Sequence, residues 1–177
     1  MRALYRSVAA AAAALQLCAI STFATISTVS PASASGDMVS FSSGIPAGTI
    51  VVRTNERRLY LSLGGGRALA YPVGVGRAGM QWAGRSFIDG KYVRPDWAPP
   101  PDLRRPGMKD VYRAGDPGNP MGVAAMTLNG GGYAIHGTNN PGSIGGLVSA
   151  GCIRMHNSDI MDLYGRVDVG TRVVFVK

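Results

Sequence analysis

The sequence predicts a mainly β domain, on three observations. Glycine and proline are abundant, at 25 and 11 of 177 residues, as expected of a chain that turns often. Between those turns lie short β-branched or alternating apolar runs, the pattern of half-buried strands. Seven of the eleven prolines fall between Pro95 and Pro120, where neither continuous helix nor a central strand is tolerated. The rest of the composition, 46% hydrophobic and 16% charged, excludes a coiled coil, an acidic disordered tail and a polytopic membrane protein. The length suits one domain, with or without an extension.

The first segment reads as an address. Arg2 and Arg6 precede an apolar stretch from about Val8 to Ile20, and a Ser/Thr-rich passage leads to Ala32-Ser33-Ala34. A basic start, an apolar middle and a small-residue exit describe a secretory signal peptide over residues 1–34. An uncleaved anchor is the alternative, but the apolar run falls short of the roughly 20 residues of a spanning helix. Bulky Leu17 before Cys18, and apolar residues after it, argue against a lipidation site. Cleavage after Ala34 would remove Cys18 and two of the cationic residues behind the formal charge of +8. Cys152 would then be the only cysteine. Exported proteins usually pair their cysteines, so a lone one is either buried and inert or kept for its reactivity. A basic exported domain favours an anionic wall or envelope polymer over nucleic acid, unless the charge serves solubility alone.

Residues 35–48 are Ser/Gly-rich and read as a loose lead-in. Thr49 to Arg53 is a β-branched run. Asn55-Glu56 is a plausible turn, and Leu59, Leu61 and Leu63 then alternate with Arg58, Tyr60 and Ser62. Gly64-Gly65-Gly66 makes a second turn, and Arg67 to Val75 a third strand, completing a meander. Pro95 to Pro120 reads as a long ordered loop bordering a site, with Trp82 and Trp97 as packing anchors. Two short strands, Met126 to Leu128 and Tyr133 to His136, flank a triple-glycine turn. Asn157 is a candidate helix N-cap, with Asp159 in the first turn and Asp162 spaced to pair with Arg166. Thr171 to Lys177 closes the chain as a strand.

Chemistry centres on Cys152. Ser149-Ala150-Gly151 before it permits a tight turn whose N–H groups can converge on an oxyanion, and the following helix start favours a thiolate. A nucleophilic cysteine needs a base. His136, at the end of a predicted strand sixteen positions earlier, is one candidate; His156, four positions later, is the other. A cysteine that is merely buried and apolar is the competing reading. One cysteine and two histidines make a thin ligand set, so neither a metal nor a cofactor is expected.

Together, Ile135-His-Gly-Thr138, Asn139-Asn-Pro-Gly-Ser-Ile-Gly145 and Ser149-Ala-Gly-Cys-Ile-Arg-Met155 resemble the L,D-transpeptidase catalytic domain, the YkuD family. Arg58-Leu-Tyr60, Tyr71 to Arg77, Trp97 to Pro100 and Gly118 to Gly122 look like further blocks of it, in the family's order. The resemblance covers about residues 49–177. It implies a β-sandwich catalytic domain with one or two short helices and the cysteine in a groove under a capping loop. The implied activity acylates the cysteine with a peptidoglycan tetrapeptide stem, expels D-alanine and passes the acyl group to an amine. A stem or an outer-membrane protein would be the acceptor, in the periplasm or cell wall, with no membrane insertion after signal cleavage; carbapenems would acylate the same sulfur. A silent wall-binding module and a hydrolase of the same fold are the alternatives. Carried over by position, Cys152 is the nucleophile and His136 its acid/base partner. The Gly137 carbonyl orients the imidazole, Gly151 and Cys152 supply oxyanion N–H groups, and Arg154 meets a substrate carboxylate. Ser149 and Tyr133 line the groove. Many relatives carry histidine where this chain has Ala150. A Cys152–His136 ion pair would hold the thiolate well below the ordinary thiol pKa of roughly 8.5.

Overall fold

The structure, a computed structural model, describes residues 36–130 and 132–177; the expected signal peptide and its cleavage site lie outside them. Eleven strands and one α-helix follow in order: β1 Asp37–Ser40, β2 Ile50–Arg53, β3 Arg58–Gly64, β4 Arg67–Pro72, β5 Val75–Gly76, β6 Gly84–Val93, β7 Ala124–Leu128, β8 Tyr133–His136, β9 Leu147–Ser149, β10 Ile153–Arg154, α1 Asn157–Arg166 and β11 Arg172–Val176. Nine strands form one sheet in the order β1-β4-β3-β2-β11-β6-β7-β8-β10, and β5 pairs with β9.

The meander is present as β2, β3 and β4. Its second turn needs glycine: Gly64, Gly65 and Gly66 have φ of 74°, 59° and 75°, a run in which any Cβ would be strained. The third strand ends earlier than the sequence suggests. Pro72 has no N–H to continue the ladder, and beyond it Gly74 pairs with Arg154 instead, exchanging N–H···O bonds of 2.9 and 2.8 Å. Gly74 is required there, because a Cβ would lie 2.9 Å from the Ser143 carbonyl oxygen.

The closing strand β11 enters the middle of the sheet, parallel to β2 and antiparallel to β6. Strand β6 was not evident from the sequence, yet it joins the two halves. Gly84 to Phe87 pair with β11, Ile88 to Val93 pair with β7, and the register shifts between Ile88 and Gly90. A long strand whose two ends pair with different neighbours lets the sheet bend between its halves. Both halves feed one core, with Ile50, Val52, Leu59 and Phe175 from one side and Met126, Leu128, Ile135 and Ile153 from the other.

Within the stretch read as a loose lead-in, β1 pairs with β4 as an edge strand, and Phe41 stacks on Tyr60 with ring centroids 4.9 Å apart. The α-helix buries Ile160 and Leu163, and its Asp162 bonds Arg166 as expected, at 2.8 Å. Asp162 also accepts the Tyr71 hydroxyl at 2.7 Å, tying α1 to β4. Between β6 and β7 the proline-rich chain holds a 3-10 turn at Pro101–Leu103 and an isolated bridge between Trp97 and Tyr112. Among the described residues no helix is long and apolar enough to cross a membrane.

Candidate active site

His136 is the last residue of β8, and β10 lies parallel to that strand with Ile153 opposite Ile135 and Arg154 opposite His136. Cys152 immediately precedes β10, within reach of Arg154 and of the Ala134 main chain on β8. The loop from Gly137 to Gly146 thus folds back and brings together three of the expected site residues. The Arg154 charge acts on both Cys152 and His136.

His136 is 2% exposed. Its Nδ1 lies 2.7 Å from the Gly137 carbonyl oxygen, so Nδ1 donates there and Nε2 is left as the acceptor. The main chain of Pro120, at the end of the proline-rich loop, also makes polar contact with the ring. Burial pushes the imidazole down to about 4; the Gly137 carbonyl opposes this and the Arg154 charge adds to it. Cys152 is partly exposed and unpaired. Burial pushes its thiol up, against smaller opposing pulls from the Ala134 main chain and Arg154. Burial thus works against charging either group, in opposition to the expected thiolate–imidazolium pair. Desolvation outweighs the local cations.

The turn before the cysteine differs from its expected use. Gly151 N–H donates to Ser149 Oγ at 3.0 Å, and Ser149 Oγ–H donates to the Cys152 carbonyl at 2.6 Å. Ser149 is 4% exposed, so it braces the turn from inside and does not line a groove. Gly151 N–H is thereby occupied and is not a free oxyanion donor in this state. Gly151 has φ of 128°, and a Cβ would meet Tyr133 Cε1 at 2.3 Å. Tyr133 is the floor of the turn. Trp82 stacks between it, at 5.4 Å, and Phe175, at 3.8 Å, so Trp82 is the packing anchor it was read to be. Trp97 is half-buried against Tyr112.

Arg154 is half-buried, with Nε out of solvent and without a hydrogen-bond partner. Burial disfavours its charge and nearby Arg77 adds to that, while Cys152 offsets it. His156 caps α1 with its carbonyl, which accepts from Ile160 N–H at 2.9 Å. Asn157 does not cap the helix with its side chain: Oδ1 accepts from Thr138 N–H at 3.0 Å and from Val123 N–H at 3.4 Å.

Spacing gave no sign of the two groups that shape the loop. Buried Asn119 donates through Nδ2 to the carbonyls of Pro95, Tyr112 and Arg113 at 2.8, 3.3 and 3.2 Å, and its Oδ1 accepts from Met121 N–H at 2.9 Å. Asn139 Nδ2 reaches the Pro117 carbonyl at 2.9 Å. An apolar hollow of about 470 Å³ lies between the loop ends and α1, lined by Val93, Val123 and Met161 among others, and Cys152 does not border it.

A family model for the L,D-transpeptidase catalytic domain, YkuD, matches residues 47–175. The "Probable L,D-transpeptidase ErfK/SrfK" of Escherichia coli K12 is 39% identical over 137 residues, and "Probable L,D-transpeptidase YbiS" of the same organism is 38% identical over 138. Each alignment covers 72% of this chain and 43% or 44% of the relative, so the chain spans less than half the length of these relatives. Among solved structures, L,D-transpeptidase 3 from Mycobacterium tuberculosis, in complex with a faropenem-derived adduct, superposes with a TM-score of 0.60 at 18% identity, over 73% of this chain and 60% of that one. At that identity the likeness speaks for the fold, and the family model and curated relatives speak for the family. The chain belongs to the L,D-transpeptidase catalytic-domain family.

Proposed function

We propose that this chain is an exported L,D-transpeptidase that acylates Cys152 with a peptidoglycan tetrapeptide stem. The observation that carries the reading is the His136 geometry: Nδ1 is fixed on the Gly137 carbonyl, and His136 lies opposite Arg154, two residues after Cys152. A neutral imidazole beside a neutral thiol is the starting state of a general-base mechanism. Sγ attacks the carbonyl of the third stem residue as Nε2 takes the thiol proton. The tetrahedral intermediate collapses to a thioester, and the imidazolium gives that proton to the departing D-alanine amine. An acceptor amine then attacks the thioester and loses a proton to Nε2; the proton returns to the sulfur as the thiolate leaves.

The Cys152 N–H is the proposed oxyanion donor. Gly151 N–H joins it only if it leaves Ser149 Oγ. Arg154, with an unpartnered buried Nε, takes a substrate carboxylate. Tyr133 supports the site from below Gly151. The acceptor is the amine of a second stem or of an outer-membrane protein, in the periplasm or cell wall.

Intact-mass measurement after incubation with imipenem tests the acyl-enzyme. A single covalent adduct on the wild type and none on Cys152→Ala is expected; no adduct on folded wild type overturns the reading. Incubation with purified muropeptides identifies the acceptor, because a cross-linked product and a hydrolysed one differ in mass.

A further inference from the structure

One peptide unit links the catalytic histidine to a side chain outside the expected site. The Gly137 carbonyl that holds His136 Nδ1 at 2.7 Å belongs to the same planar unit as the Thr138 N–H, and that N–H donates to Asn157 Oδ1 at 3.0 Å. In a trans peptide the two groups point in opposite directions, so His136 grips one edge of the plane and Asn157 the other. We propose that Asn157 is a positioning residue that fixes the His136 imidazole through the Gly137–Thr138 peptide.

Three observations support this role. The amide orientation is determined, because two N–H groups, of Thr138 and Val123, converge on the same oxygen. Glycine clears its path: a Cβ at Gly122 or at Gly137 would lie 2.3 Å from Asn157 Oδ1. And Asn157 opens α1, whose buried Ile160 and Leu163 anchor it, so the oxygen is set by a helix and not by a loop. Hydrogen bonds in series polarise one another, so the Asn157 contact also strengthens Gly137 as an acceptor. Through Val123 the same oxygen holds the end of the proline-rich loop, near the Pro120 main chain that contacts the imidazole.

The inference rests on the acyl-transfer reading above, and its tests separate from it. The first needs no substrate: ¹⁵N NMR of the His136 imidazole is expected to show the Nδ1–H tautomer in the wild type and a mixture in Asn157→Ala. A wild type with Nε2–H, or an unchanged tautomer in the variant, overturns the proposal. The second is imipenem acylation. Asn157→Ala is expected to acylate roughly ten- to a hundredfold more slowly with the half-saturating concentration held, the pattern of a misplaced catalytic group. Asn157→Asp keeps an acceptor oxygen, so it is expected to acylate within about threefold of wild type, with the acid limb of its pH profile moved upward by the added carboxylate. Wild-type rates in Asn157→Ala, or an Asn157→Asp as slow as Asn157→Ala, overturn it. Should Asn157→Ala not fold, Asn157→Ser, whose hydroxyl is too short to reach both N–H groups, replaces it with the same expectations. A wild type that is never acylated defeats the transpeptidase reading and leaves the tautomer result to decide the role of Asn157.

Discussion

The Gly137 carbonyl accepts from the Nδ1–H of His136, the residue immediately before it, at 2.7 Å. In the proposed mechanism a main-chain oxygen does the orienting that a carboxylate does in a Ser–His–Asp triad. A carbonyl carries no full charge, so it stabilises an imidazolium less than a carboxylate would. With burial dominant, the imidazole falls to about 4 while the Cys152 thiol rises.

That balance separates two pH profiles. With His136 as base, as proposed, the acid limb of imipenem acylation should lie near pH 4, below which the imidazole is protonated and accepts nothing. Alkylation by iodoacetamide follows the free thiolate, so its midpoint should lie above the ordinary thiol value of roughly 8.5. Stopped-flow acylation and mass-monitored alkylation across pH give both limbs. An alkylation midpoint well below that reference would restore the ion pair and contradict the burial argument.

The same histidine sets a stability window. Unfolded, the imidazole titrates near the reference value of 6.5; folded, it titrates near 4. Between those values the unfolded chain binds more protons, so stability falls as pH falls through the window and levels off below it. At pH 4.5 the loss relative to pH 7 should be about 2 to 3 kcal/mol from this group alone. Denaturant midpoints for wild type and His136→Asn at the two pH values measure it. Equal losses in both proteins would show that His136 is not the group responsible.

Ser149 and Gly151 hold the turn by different means, and their variants should fail differently. Ser149→Ala leaves the Gly151 N–H and the Cys152 carbonyl without partners, at a cost of about 1 to 3 kcal/mol. Ser149→Thr keeps the hydroxyl and should recover most of it. Gly151→Ala meets two obstacles, a φ of 128° and the Tyr133 ring. In Gly151→Ala/Tyr133→Ala the collision is gone but the strained φ stays, so rescue should be partial. Thermal unfolding of the four variants decides; full rescue by Tyr133→Ala would mean that φ is not limiting.

How much of this was legible varies with the range over which the signal acts. Strands β3 and β11 announce themselves through alternation with one chiefly buried face, and β2 through a β-branched run buried on both faces. Strand β6 does not: only Ile88 and Gly90 are fully buried among its ten residues, and Arg85, Phe87 and Asp89 face outward, so no apolar period exists to read. Strands β5 and β10 have two residues each, too few for any period. Cys152 and His136 stood out because cysteine and histidine are scarce here and are the residue types that nucleophilic catalysis uses. The work of Ser149 and Asn157 was hidden for a different reason. An asparagine at a helix start can cap it or reach outward, and what decides is Thr138, 19 residues away, and Val123, 34 away.

Asparagine also supplies the sharpest contrast. Asn157 works through its oxygen, whereas Asn119 works chiefly through its nitrogen, donating to the carbonyls of Pro95, Tyr112 and Arg113. Asn119 is 3% exposed, and it gathers these carbonyls to one point, although Tyr112 also accepts from Trp97 N–H and Arg113 from Asp116 N–H. Asn119→Ala removes the donor and should loosen the proline-rich loop. Asn119→Asp should be worse, because a carboxylate cannot donate and sets a buried negative charge against three carbonyl oxygens. At position 157 the order reverses, with Asp tolerated and Ala not. Hydrogen exchange of the amides of Trp97 and Tyr112, whose mutual 2.8 Å bonds span the loop, reports its closure. Protection in Asn119→Asp equal to or above that in Asn119→Ala would mean that donation by Asn119 does not hold the loop together.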